Sequence, residues 1–325
     1  MADFRSTRTA FLAGGAAGCC AHLLARPQIA FAQTAEAPRP MKRVAEIAFE
    51  SVPDFIKLPD DMYLGECSGV AANSKGHVFV FTRGNSEGPA YAAAAAQLLE
   101  FDADGHYIRE IGHKLYAWSF AHMVRVDRYD NIWCTDKGSD IVVKFRPTGR
   151  VDMVFGRKLE ASDEGTGPLK HPDPPLAPVT GLFRQVTDVA FDSEDNAYIS
   201  DGYINSRVVK VDKQGNWLTS WGSPGTAAGQ FHLPHSIAVD AQNRVYVADR
   251  TNRRIQVFDA KGTFIKQIHI DVAYDPSKAR MMIGEPPTGA GLLSGTFSPG
   301  APWALAISPP PHQYLYASDA YPGRI

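Results

Sequence analysis

A four-strand pattern that recurs along the chain limits the possible folds more than any other feature of this sequence. Its clearest copy is Phe231–Gln267, FHLPHSIAVDAQNRVYVADRTNRRIQVFDAKGTFIKQ. Here SIAVD, RVYVAD and RIQVFD alternate apolar and polar residues, and a fourth run, TFIKQI, follows them. Period-two alternation rich in Val, Ile, Phe and Tyr predicts half-buried strands. The intervening AQN, RTNR and AKG supply tight turns. Four strands in so short a stretch predict one antiparallel sheet.

The same plan appears elsewhere. Ser68–Ala71 leads to HVFVFTRG and QLLEFDADGHYIREIG, and His122–Asp127 leads to NIWCTDKG and DIVVKFRPTGRVDMVFG. Thr187–Asp192 leads to NAYISDGY and SRVVKVDKQGNWLTSWG, and Trp303–Ser308 leads to YLYASDAY and Gly323-Arg324-Ile325. Four whole units and half of a fifth, each built on four strands, predict propeller blades. An Asp after the second strand and an Arg-Ile/Val pair opening the third resemble NHL repeats. They appear as Asp201 with Arg207-Val208, Asp249 with Arg254-Ile255 and Asp319 with Arg324-Ile325. The expected fold is therefore all-β, a six-bladed NHL-type β-propeller over residues 46–325 with about four and a half blades in this chain. The pattern stops within blade five, so the sequence reads as a C-terminally incomplete ring. Gly84–Ala96, Arg157–Gly181 and His269–Ala301 interrupt the rhythm; the Pro-, Gly- and Asp-rich Arg157–Gly181 is expected to be a surface loop, and His269–Ala301 separates blades four and five.

Upstream, Arg5 and Arg8 precede a small, apolar run from Ala10 to Ala25, and Ala30-Phe31-Ala32 offers a cleavage site before Gln33. Residues 1–32 read as an export signal and the Pro- and Ala-rich 33–45 as a linker, placing the mature protein outside the cell or in the periplasm. Thr7–Leu12 resembles a twin-arginine motif with one arginine lost, and Ala17-Gly18-Cys19 a weak lipobox. The apolar run is short for a membrane span. Of the remaining cysteines, Cys67 and Cys134 lack metal spacing and read as buried free thiols, with a disulfide between them left open. A formal net charge of −2 gives no electrostatic case for nucleic acid.

Two histidines share one place in the repeat. His122 and His235 stand at the start of the innermost strand of blades two and four. A third histidine from blade six would complete a three-histidine site of the kind catalytic zinc uses; the plainer reading is that each His terminates a strand by bonding backbone. At the same end, after the second strands, stand Arg83, Tyr203 and Arg250. Arginines clamp carboxylates, and positive charge beside a phenol favours the phenolate, a general base.

Residues Ser68 to Gln267 resemble the peptidyl-α-hydroxyglycine α-amidating lyase family. The resemblance rests on SGVA…VFTRG, AHMVRVDRYDNIWCTD, TDVAFDSEDNAYISDGYINSRVV and GQFHLPHSIAVD…VADRTNRRIQVF. It implies a six-bladed propeller with a catalytic zinc and a structural calcium in its channel. His122 and His235 match two zinc ligands, and Arg83, Tyr203 and Arg250 match the catalytic arginine, tyrosine and second arginine. Val70 and Val124 match positions whose backbone carbonyls bind calcium. The family's disulfide cysteines fall at Arg184, Ile204, Tyr246 and Val257, and its third zinc histidine falls in the blade not represented here. The implied activity is zinc-dependent cleavage of a peptidyl-α-hydroxyglycine carbinolamide to an amide and glyoxylate, with a small peptide-like substrate and a monomeric propeller. Two alternatives stand beside it: a non-catalytic NHL scaffold for a peptide, protein or cell-wall ligand, and a calcium-dependent hydrolase or lactonase.

Overall fold

A computed structural model describes residues 50–84, 96–158, 177–281 and 296–325, all within the compact unit Ala37–Ile325. The expected export signal, the linker and most of the three insertions lie outside the described residues. The architecture is all-β. Blade one contains β1 (Cys67–Ala72), β2 (Val78–Thr82), β3 (Gln97–Phe101) and β4 (Tyr107–Ile111). Blade two contains β5 (Ala121–Val126), β6 (Ile132–Asp136), β7 (Ile141–Phe145) and β8 (Val151–Gly156). Blade three contains β9 (Asp188–Phe191), β10 (Ala197–Asp201), β11 (Arg207–Val211) and β12 (Trp217–Trp221). Blade four contains β13 (Pro234–Val239), β14 (Val245–Asp249), β15 (Arg254–Phe258) and β16 (Phe264–Ile268). β17 (Pro302–Ile307) and β18 (Leu315–Asp319) form a two-stranded fifth sheet. In each four-stranded sheet the spatial order follows the chain. The NHL-type propeller plan, with four blades and half of a fifth, is as the repeats predict.

The hairpins follow from local chemistry. Asn73, Asp127, Asp192 and Asp240 end the first strands, and the side-chain oxygen of each accepts the N–H groups two and four residues on. Asp102, Asp212 and Asp259 do the same between third and fourth strands. Such side-chain turns explain why Asn and Asp recur here.

The Asp that closes each second strand has another task. Asp201 bonds Arg207 at 2.9 Å and the N–H of Arg184, while Asp249 bonds Arg254 at 2.7 Å and the N–H of His232. Asp319 bonds Arg324 and the N–H of Gly300. Asp136 instead gathers the N–H groups of Ser119, Phe120, Gly138 and Ser139. In blade one Thr82 takes the place, its hydroxyl donating to Leu64 and accepting from Gly84. Each residue thus ties the segment before its inner strand to the end of the second strand. That is the end where the candidate site lies.

The second and third strands of blades two to four are buried on both faces rather than half-buried as alternation predicts, so the cores form between blades. Phe79, Phe81 and Leu98 of blade one meet Ile132, Val143 and Phe145 of blade two, with Phe81 and Trp118 4.8 Å apart between ring centroids. Tyr198 and Val208 of blade three meet Val247 and Phe258 of blade four. Truncating one such buried aromatic costs about 3–5 kcal/mol. The outer strands β12 and β16 are exposed along their middles.

Cys67 and Cys134, the two cysteines among the described residues, are free. Cys134 is buried as expected, but Cys67 is exposed, which corrects the sequence reading. Cys67 opens β1, which has no preceding blade among the described residues to cover it, and Val70 on the same strand is 62% exposed. Tyr246 and Val257, two positions of the family's cysteines, are direct cross-strand partners, and Arg184 bonds Asn205 beside Ile204.

Candidate active site

Register shifts mark the start of the inner strands. In β5 the shift falls between Ala121 and Met123, in β13 between Pro234 and Ser236, in β17 between Pro302 and Ala304, and in β1 between Cys67 and Gly69. The extra residues are His122, His235, Trp303 and Ser68. A bulge re-aims a side chain that regular pleating would commit to one face, and two of these four carry the expected metal ligands.

Each histidine is locked by the next blade. His122 Nδ1 lies 2.7 Å from the carbonyl of Thr187 and His235 Nδ1 lies 2.6 Å from that of Trp303. A carbonyl only accepts, so Nδ1 carries the proton and Nε2 presents its lone pair to the site. Burial holds both well below the usual imidazole range. The charges of Arg83 and Lys137 add to this at His122, and those of Arg250 and His122 add to it at His235. Neutral, carbonyl-anchored imidazoles whose Nε2 lone pairs face the site are a metal-ready donor pair.

Their rings lie 4.8 Å apart between centroids, and Tyr203 reaches between them. Its Oη is 3.2 Å from His235 Nε2 and 3.5 Å from His122 Nε2. Tyr203 stands one residue further past its strand than Arg83 and Arg250 do past theirs. Gly202 explains the offset. A Cβ there would sit 1.9 Å from the carbonyl oxygen of Pro234, so that position accepts no side chain and the next residue serves the site.

Arg83 lies flat on Phe120, 3.8 Å from its ring centroid, donates to the carbonyl of Ala121 at 3.0 Å and pairs with Glu66 at 2.5 Å. Arg250 is 5% exposed and rests on Trp303 at 4.4 Å and Tyr203 at 5.4 Å. Its Nε and Nη1 are buried without a hydrogen-bond partner among the described residues. Arg83, Tyr203, Arg250, His122 and His235 are thus brought to one end of the blades.

The sequence reading passed over Lys137. Its ammonium stands 3.8 Å over the ring of Tyr203 and 5.2 Å from that of Phe120. Burial, then the charges of Arg83 and Arg250, bring its pKa down to about 8. The signal was in the register: Lys137 follows Asp136 as Arg83 follows Thr82 and Arg250 follows Asp249. Trp303 was legible in the same way, since it shares the bulge position of the two histidines.

For zinc, the two histidines fit by chemistry and supply two ligands. Among the described residues no group of three or more His, Cys, Asp or Glu is placed to hold a metal. For calcium the described donors fall short. Gly69 lets β1 approach β5, since a Cβ there would lie 2.6 Å from the nitrogen of Val124, so Val70 and Val124 belong to neighbouring strands. The next residue, Arg125, sends its guanidinium to Asp188 at 2.9 and 2.6 Å and to the carbonyl of Leu305 at 3.0 Å. The carboxylate at this level is already neutralised by a fixed cation, and two carbonyls alone are too few hard ligands for calcium. A cavity of about 770 Å³ at the opposite end, lined by Asp127, Asp192 and Asp240, contains no part of the histidine site. Those carboxylates are occupied by the turns described above.

An NHL repeat model matches residues 231–258. Mouse peptidyl-glycine alpha-amidating monooxygenase is 30% identical over 229 residues, which cover 63% of this chain and 22% of that protein. Mouse NHL repeat-containing protein 3 is 30% identical over 206 residues (61% and 53%). A probable peptidyl-alpha-hydroxyglycine alpha-amidating lyase of Caenorhabditis elegans is 27% identical over 214 residues (61% and 56%). The match therefore spans under a quarter of the monooxygenase and about half of the other two. Among solved structures, a streptogramin B lyase has a TM-score of 0.45 at 13% identity, covering 63% of this chain and 55% of that one. A gluconolactonase from Xanthomonas campestris has 0.46 at 13%, covering 79% and 70%. Fold and repeats make this chain an NHL-repeat β-propeller protein. Within that class it is a distant relative of the α-amidating lyases and of NHL repeat-containing protein 3.

Proposed function

We propose that this protein is an exported carbon–nitrogen lyase that cleaves α-hydroxyglycine carbinolamides to an amide and glyoxylate. The observation that carries the reading is the convergence of His122 Nε2 and His235 Nε2 on Tyr203 Oη, with Arg83 and Arg250 beside it. A zinc ion held by His122 and His235 would supply Lewis acidity to the substrate hydroxyl. Tyr203 Oη gives its phenol proton to the departing nitrogen and takes the hydroxyl proton in its place, so the phenol is regenerated. The oxygen's electron pair forms the aldehyde C=O as the C–N bond pair leaves with nitrogen. Arg83, braced by Glu66 and Phe120, orients the reacting end, and Arg250 pairs with the substrate carboxylate. Burial and neighbouring cations make both imidazoles weak bases, so they compete poorly with Tyr203 for the proton.

Incubating the zinc-supplemented protein with an N-acyl-α-hydroxyglycine tests this directly: amide and glyoxylate should appear in equal amounts. Absence of glyoxylate with zinc bound rejects the reading. A second reading, a non-catalytic propeller that binds a peptide or protein ligand, is favoured by the likeness to NHL repeat-containing protein 3 and by a donor set of two histidines among the described residues. Failure to bind zinc together with retained peptide binding would favour it.

A further inference from the structure

The pocket around Tyr203 holds more positive charge than one carboxylate can answer. Arg83 has a counter-ion, Glu66. Arg250 has no carboxylate partner among the described residues; its guanidinium bonds the Tyr203 hydroxyl, and its Nε and Nη1 are buried without partners. Lys137 has none there either; its ammonium meets the rings of Tyr203 and Phe120. Both cations rest against the same tyrosine ring, Lys137 at 3.8 Å and Arg250 at 5.4 Å. Trp303 fixes Arg250 from the far side at 4.4 Å, and the backbone N–H of Lys137 is tied to Phe120 at 3.0 Å. Burying an unpaired charge is costly unless a partner arrives. A buried and a half-buried cation on one ring, neither with a carboxylate among the described residues, call for a ligand with two negative charges.

We propose that Lys137 and Arg250 form a paired anion subsite over Tyr203 that selects dicarboxylates. On the lyase reading, on which only the identity of the cleaved bond depends, the substrate is an N-acyl-α-hydroxyglycine whose acyl part carries a second carboxylate. One carboxylate meets Arg250 and the other meets Lys137. Peptide-like substrates ending in a neutral residue leave Lys137 unanswered.

The test uses the full chain, with and without added zinc, and titrates succinate and glutarate against acetate and butyrate by calorimetry. A dicarboxylate should bind at least ~10-fold more tightly than the monocarboxylate of like length. Lys137→Met should remove that preference and leave acetate binding in place, while Lys137→Arg should retain it. Unfolding temperatures of the variants separate a lost subsite from a lost fold. Equal affinity of the wild type for mono- and dicarboxylates overturns the proposal, as does equal loss of both in Lys137→Met. Dicarboxylate selectivity without glyoxylate release leaves the subsite standing and removes the lyase reading. Glyoxylate release at equal efficiency from singly and doubly charged substrates does the reverse.

Discussion

Replacing Arg125 with methionine should destabilise the propeller by about 3 kcal/mol, the lower end of the cost of breaking a buried ion pair from one side. Arg125 starts on the inner strand of blade two, bonds Asp188 on blade three at 2.9 and 2.6 Å, and reaches Ser236 on blade four and the Leu305 carbonyl of the fifth sheet. Asp188 is fully buried, so it cannot turn to bulk water when the guanidinium is gone. The estimate sits at the lower end because Asp188 keeps three donors: the Ser236 hydroxyl at 2.6 Å and the N–H groups of Val189 and Ile237. Methionine preserves most of the aliphatic stem, so packing losses are small. Urea unfolding should show a lower midpoint at unchanged slope, and the melting temperature should fall by roughly 6–12 °C. Adding Asp188→Asn to Arg125→Met should recover part of the loss, because the stranded charge is then removed. A loss below about 1 kcal/mol, the range of an exposed pair, would refute the reasoning.

Four further outcomes follow from the same geometry. Gly202→Ala should displace Tyr203, since its Cβ would fall 1.9 Å from the Pro234 carbonyl oxygen; glyoxylate release should drop by more than ~10-fold while the far-ultraviolet spectrum stays β-rich. Dicarboxylate preference should fade as pH rises through about 8, where Lys137, facing Tyr203 with Arg83 and Arg250 nearby, gives up its proton; the bound anion moves that midpoint upward, and calorimetry across pH 6.5 to 9.5, about 1.5 units either side of it, reads the change. Calcium chelation should move the melting temperature of this chain by less than about 1 °C, because its described residues offer that ion two carbonyls and no uncommitted carboxylate at that level. N-terminal sequencing of exported protein should begin at Gln33.

Much of the fold was legible because its determinants are local. Alternation, the Asx turns at Asp127, Asp192 and Asp240, and the Asp–Arg pair that links second and third strands all lie within one repeat. The histidine pair was legible because both residues share one place in the repeat. Tyr203 was legible from its place after the second strand, one residue beyond strict register because Gly202 holds its blade's equivalent position. Lys137 stood in register with Arg83 and Arg250, yet a lone lysine in a turn carries no local mark of burial. Its environment comes from Phe120 and Tyr203, which only the packed blades bring to it. The Arg125–Asp188 pair was hidden for the same reason, being 63 residues apart in sequence. The exposure of Cys67 also depends on what covers β1, which composition does not record.

The most direct test of the proposed chemistry is the rate of glyoxylate release by Tyr203→Phe beside that of the wild type, both loaded with zinc. A phenol that carries the proton from hydroxyl to nitrogen is worth about 10²–10⁴ in rate. The phenylalanine variant keeps the ring on which Lys137 and Arg250 rest, so it should stay folded and release glyoxylate at least ~100-fold more slowly. A variant that retains more than about a third of the wild-type rate would contradict the assignment of Tyr203 as the proton carrier, because general acid–base catalysis is worth far more than that.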